Sequence, residues 1–183
     1  MATLTAFTIG PRVTFSQQFN GIEIYIRSPR EIFSLIFIPF WLIFWTMGGI
    51  SAIKSFLGGD ANPFLFIWIV GWALGWAFMI YIWLWTAFGK EIIYVGQGIL
   101  TLKHDILGFG RKKEIQLYEL SNLRAAGQFG SPSSWNNNLA FWGISGGTIA
   151  IDSRGKTQMF GIHLEEGEAM AVVKEIEPYL LRR

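Results

Sequence analysis

Between Glu31 and Lys54 the chain runs 22 residues without a charge, and between Asp60 and Lys90 it runs 29. A helix needs roughly 20 apolar residues to cross the hydrocarbon core of a bilayer. Each gap can therefore hold one span, whereas a buried helix of a water-soluble domain seldom goes so far without a charged residue. Two transmembrane helices are predicted, about 32–56 and about 63–88. The link "LGGDANP" is too short for a domain, so the pair forms an antiparallel hairpin. Pro63 suits the first turn of the second helix, where a missing N–H costs nothing. Pro39, inside the first helix, predicts a kink or the point of entry at the interface. Only 15% of the 183 residues are charged, against about 25% in ordinary soluble domains.

A sparse pattern is written twice within these gaps. "FWLIFWTMGG" at 40–49 returns as "IWIVGWALGW" at 67–76, aligning Trp41, Trp45 and Gly48 with Trp68, Trp72 and Gly75. Positions i, i+4 and i+7 share one side of a helix, so each copy makes a stripe. Gly48 with Ala52, and Gly71 with Gly75, are small-xxx-small pairs of the kind that let helix backbones approach in lipid. Helices that pack on each other through these similar faces are expected, the other reading being that one stripe recruits a partner helix. Tyr81, Trp83 and Trp85 read as interfacial anchors. Arg12, Arg27 and Arg30 precede the hairpin and Lys90 and Lys103 follow it, while the link offers only Lys54 beside Asp60. The positive-inside rule then puts both termini in the cytoplasm. The start "MATLTAFTIG" lacks the basic region of a cleaved signal peptide.

Outside the gaps the grammar is that of strands. In the arm 1–31, "VTFSQQF-NG-IEIYIR" reads as a hairpin turning at Asn20-Gly21, with Ile22, Ile24 and Ile26 on one face. A lone hairpin is marginal in water, so it should lean on something larger. After the hairpin segment 32–89, residues 90–183 form a third unit. "EIIYV", "GILTLKHDIL" and "KKEIQLYEL" are strand-like runs broken at Gly96–Gly98 and Gly108–Gly110. "GTIAIDS" and "KTQMFGIHL" meet at Arg154-Gly155. "EEGEAMAVVKEIEPYLL" reads as a helix with Ala169, Val172, Val173 and Ile176 on one face and Glu165, Glu166 and Glu168 at its positive end. Antiparallel strands followed by one helix make a small α+β module.

A Trp- and Gly-rich hydrophobic hairpin followed by "FGKEIIYVGQGILTLKHDILGFGRKKEIQLYELSNLR" and "GTIAIDSRGKTQMFGIHL" resembles small bacterial membrane proteins with a pleckstrin-homology-like (bPH) domain. The resemblance covers about residues 20–180. It implies a two-helix transmembrane hairpin in the bacterial inner membrane, with a cytosolic β half-barrel capped by a C-terminal helix.

Chemistry-bearing residues are few. The absence of cysteine excludes disulfides, thiolate metal sites and iron–sulfur clusters. His104-Asp105, and His163 with Glu165 and Glu166, do not supply the three or four convergent ligands of a metal centre, and read as surface polar residues. No G-x-S-x-G, Walker A, HExxH or dinucleotide fingerprint occurs, so neither an enzyme nor a cofactor is expected. Arg111, Lys112 and Lys113 are lipid-headgroup candidates, since cations near a cytoplasmic leaflet gain roughly 1 kcal/mol each; a solvated turn explains them as well. The stretch 127–147 sets Phe129, Trp135, Phe141 and Trp142 in a loop-like background, as a candidate protein-binding surface; contact with the membrane interface, and packing back onto the domain's own core or the amino-terminal hairpin, are the other readings. The expectation is a non-enzymatic membrane accessory, assembly or scaffolding protein with a protein partner or a second copy, and no nucleic acid. An anionic-lipid-binding or membrane-sensing module is the alternative.

Overall fold

A computed structural model describes residues 5–60, 62–126, 147–162 and 164–181. The chain divides into two compact units, residues 30–87 and the combination of 1–29 with 88–183.

The first unit is a helical hairpin. Helix α1 spans Ile32–Leu57 and α2 spans Pro63–Phe88. Pro63 is the first helical residue, as predicted, and Asn62 caps it, its Oδ1 accepting the Leu65 N–H at 2.8 Å. Both helices are long and apolar enough to cross a membrane, and little of their apolar span is buried within the structure, 11% and 6%. A core helix of a soluble protein would bury most of that surface.

Among the described residues the second unit has nine strands and one α-helix. Strands β1 (Thr5–Ile9), β2 (Val13–Gln18), β3 (Gly21–Arg27), β4 (Gly89–Gly96), β5 (Ile99–Ile106) and β6 (Lys112–Gln116) form an antiparallel meander in chain order. A 3-10 turn at Leu117–Glu119 leads to a second antiparallel sheet of β7 (Leu120–Ala125), β8 (Ile149–Ser153) and β9 (Lys156–Phe160). Helix α3 (Glu166–Leu181) follows. Phe15, Ile24 and Ile93 of the first sheet, Ile151 and Phe160 of the second, and Val172 and Ile176 of α3 meet in one hydrophobic core. Ala169, Val172 and Ile176 are buried and Val173 partly so, the face predicted from their spacing. At the start of α3 the Glu168 carboxylate accepts the Glu165 N–H at 3.1 Å and pairs with Arg12 at 3.2 Å, the back-reaching half of a capping box.

The amino-terminal arm is not a separate element. Strand β3 pairs with β4 along its whole length, from Gly21↔Gly96 to Arg27↔Lys90, so residues 90–183 hold only part of the sheet. The helical hairpin thus occupies the place of the connection between two paired strands, and the Ser28 N–H donates to the Gly89 carbonyl at 3.0 Å to close that pairing.

The β2–β3 turn also departs from expectation. Gln18 pairs with Gly21, leaving Phe19 and Asn20 as the turn residues rather than Asn20-Gly21. Gly21 lies in the strand, where a Cβ would collide with the Val95 carbonyl of β4; close backbone approach, not positive φ, requires the glycine. The predicted turn at Arg154-Gly155 does have positive φ at both positions, 49° and 73°.

Candidate functional site

Within the hairpin the tryptophan stripes meet. Trp41 and Trp45 pack edge to face at 4.2 Å between ring centroids, and Trp45 lies 5.9 Å from Trp72 of the other helix. Trp76 Nε1 donates to Thr46 Oγ1 at 2.9 Å, and Trp83 Nε1 to the Leu35 carbonyl at 3.1 Å. Phe56 and Phe66 close the far end at 6.2 Å.

The glycines divide in a way the repeat did not indicate. No atom lies within 4 Å of a Cβ built on Gly48 or on Gly71. A Cβ on Gly49 would instead overlap the Trp72 ring, and one on Gly75 would stand 3.2 Å from Trp45. Tryptophan rings occupy the space between the helices, so the backbones do not meet at small-xxx-small pairs as expected. Gly75 is a packing residue, Gly48 and Gly71 are not, and half-buried Ala52 lies outside the groove. The signal for Gly49 was its place one residue after the stripe, on the side facing α2.

Gly48 and Gly71 line an open apolar groove of about 690 Å³, with Trp41, Phe44, Trp45, Trp68 and Trp72 as its walls. Six of the eight predicted packing residues converge there, around empty space rather than around a backbone contact. Trp85, read as an interfacial anchor, is buried at 4% exposure, while Tyr81 is exposed.

In the sheet unit, the His104-Asp105 pair is not a surface feature. Asp105 is buried, held by Lys103 at 2.6 Å and Lys90 at 3.3 Å. The Lys103 ammonium, then that of Lys90, holds its carboxyl below the usual range. His104 Nε2 lies 3.3 Å from the carboxylate of Glu91, its partner across β4 and β5. That hydrogen bond raises the histidine pKa against the opposing effect of burial. Glu91 is 2% exposed and accepts the N–H groups of Gly161 at 2.9 Å and Ile162 at 3.0 Å. A buried carboxylate so satisfied ties the end of the second sheet to the first. Among the described residues no cluster of three or more His, Cys, Asp or Glu could hold a metal ion; His163 lies outside them.

A polar cluster on the second sheet has a similar structural role. Asp152 accepts from Thr157 at 2.7 Å, Asn122 at 2.8 Å and Arg124 at 2.9 Å, which together lower its pKa to about 2. These bonds hold the irregular pairing between Ser121 and Arg124, where Asn122 has a φ of 54°.

Arg111, Lys112 and Lys113 are exposed at the start of β6, but they do not converge. Lys112 pairs with Glu114 at 2.5 Å, and Lys113 donates to Gln158. Successive strand residues point to opposite faces, so no pocket gathers all three. At the other end of the sheet a hollow of about 600 Å³ lies among Phe19, Tyr118, Tyr179, Gly21 at the start of β3, Gly96 at the end of β4 and Gly98 in the β4–β5 turn. Phe129, Trp135, Phe141 and Trp142 lie outside the described residues.

No family model matches this chain, nor does any curated protein or solved structure.

Proposed function

We propose that this chain is a two-span membrane protein that acts as an accessory or scaffolding element, offering its helical hairpin to another transmembrane helix. The observation that carries the reading is the open groove around Gly48 and Gly71. In lipid, helix association depends on close packing because the hydrophobic drive is absent. Two bare glycines between tryptophan walls leave room for a helix to approach where the hairpin's own helices do not fill the space. The antiparallel strands closed by α3 agree with the layout that the bPH resemblance implies, with the helical hairpin placed between two strands of the domain. Both termini facing the cytoplasm of a bacterial inner membrane belongs to the same proposal.

Gly48→Leu with Gly71→Leu tests it in the full chain. The doubly substituted protein should melt as the parent does in mild detergent, since a Cβ at either position meets no atom within 4 Å and the rest of each side chain has the open groove to fill, yet lose whatever protein co-purifies in stoichiometric amount with the parent. Unchanged recovery of that protein would refute the groove as the docking surface. Recovery of lipid alone from the parent would favour the lipid-binding alternative, for which the exposed basic start of β6 is the supporting observation.

A further inference from the structure

The β5–β6 turn is short and stiff. Ile106 and Phe109 bridge it with reciprocal backbone hydrogen bonds of 2.8 and 3.0 Å. Leu107 and Gly108 form its tip with φ of 53° and 94°. A two-residue turn with positive φ at both positions favours Asn, Asp or Gly at the first, because a bulky side chain is strained there. Leu107 holds that position and is 62% exposed, and Phe109 is 83% exposed. Neither belongs to the core, so folding alone does not call for either ring or branch. Backbone strain under an exposed apolar side chain points to a use outside the fold.

The surroundings are basic. Lys103 donates to the Gly108 carbonyl at 3.4 Å, Arg111 and Lys112 follow the turn, and Arg27 pairs with Lys90 across β3 and β4. Asp105 holds Lys90 and Lys103, and Glu114 holds Lys112; with Arg27 and Arg111 the five cations outnumber these two carboxylates and the buried Glu91. The turn's place in the chain adds a third observation. Ile106 pairs with Gly89, the residue directly after the end of α2 at Phe88. With about 3.8 Å between successive Cα atoms and about 5 Å across a strand pair, Ile106 lies within about 10 Å of the helix end.

We infer that the Leu107–Gly110 turn is a membrane-interface anchor, inserting Leu107 and Phe109 at the boundary of headgroups and acyl chains while its cations meet anionic headgroups. The inference rests on the membrane reading of the two helices. An apolar tip flanked by Lys and Arg has the composition that binds an anionic bilayer surface, and the tip's strand partner Gly89 directly follows α2 in the chain.

The chain has no cysteine, so single cysteines carry unique spin labels. Phe109→Cys, Phe19→Cys and Ile43→Cys would be labelled in the full-length protein, in vesicles of phosphatidylethanolamine and phosphatidylglycerol. Phe19, 88% exposed on the β2–β3 turn at the opposite end of the strands, is the aqueous control, and Ile43, 60% exposed on α1, is the bilayer control. The ratio of oxygen to nickel-chelate accessibility at Phe109→Cys should exceed that at Phe19→Cys several-fold, with Leu107→Cys giving the same result should Phe109→Cys perturb the turn. Aqueous values at both 107 and 109, with Ile43→Cys in hydrocarbon, would overturn the anchor and leave the membrane reading intact. An aqueous Ile43→Cys would overturn both.

Discussion

Gly48 and Gly49 are neighbours in sequence and opposites in packing, which makes a sharp test of the hairpin. An alanine at 48 meets nothing within 4 Å, whereas one at 49 overlaps the far edge of the Trp72 indole. To make room, Trp72 must give up its contact with Trp45, whose ring centroid lies 5.9 Å away, or the helices must shift. Replacing a helical glycine by alanine gains up to about 1 kcal/mol in helix propensity, and that gain is common to both variants. Overpacking costs about 1–3 kcal/mol per site. The difference between Gly49→Ala and Gly48→Ala should therefore be about 1–3 kcal/mol, with Gly48→Ala at or above the parent in stability. Equilibrium unfolding in mixed detergent micelles, followed by far-UV circular dichroism, would measure it. Equal stabilities would refute the assignment of Gly49 to the inner face, and a less stable Gly48→Ala would reverse it.

Glu91→Ala should lower the thermal stability of the sheet unit by about 2–5 kcal/mol, because the Gly161 and Ile162 N–H groups lose a buried acceptor. The His104 pKa is raised by Glu91, so the pair's contribution is present in full below about pH 6.5. It is lost as pH rises through the higher folded value; parent stability should fall over that interval and that of His104→Gln should not. Residues 90–183 alone should fail to fold, since Val13, Phe15, Ile22, Ile24 and Ile26 of β2 and β3 are buried in the core at about 1.5–3 kcal/mol each. Joining Ser28 to Gly89 through Asn-Gly should give a folded soluble domain by circular dichroism and gel filtration. Reporter fusions after residue 60 and after residue 181 should mark opposite sides of the membrane; the same side for both would refute the two-span topology.

The helices were legible because the demand on them is one-dimensional: length and freedom from charge suffice, and α1 and α2 end within a residue of the predicted limits. Alternation made Ile22, Ile24 and Ile26 readable as the buried face of β3 for the same reason. What escaped depends on contacts distant in sequence. The pairing of β3 with β4 joins residues on either side of the whole helical hairpin, and no local pattern announces it. Asn20-Gly21 has the composition of a tight turn, yet the backbone of β4 passes so near Gly21 that the turn moves back by one residue. Glu91 stands in an apolar alternation as if it were a polar edge residue, and only the arrival of Gly161 and Ile162 from the other sheet explains its burial. The repeat identified the tryptophans that would meet but not which glycine they would cover, because that turns on the rotation of each helix.

That β3 and β4 are neighbours across the helical hairpin bears on the order in which the chain can fold. During synthesis β1, β2 and β3 emerge first, with hydrophobic faces and, in β3, an unpaired edge, and they must wait while both helices are made. An exposed, apolar strand edge is the form most open to wrong pairing, and closing a long loop is entropically slow. The two helices shorten that loop: once they lie antiparallel, the residues flanking them are brought back side by side, and β4 begins immediately after α2. Assembly of the hairpin then works as the closing step for the sheet. A defect confined to the helices, such as a bulky residue at Gly49, would be read out in the strands as delayed pairing and aggregation of the nascent domain.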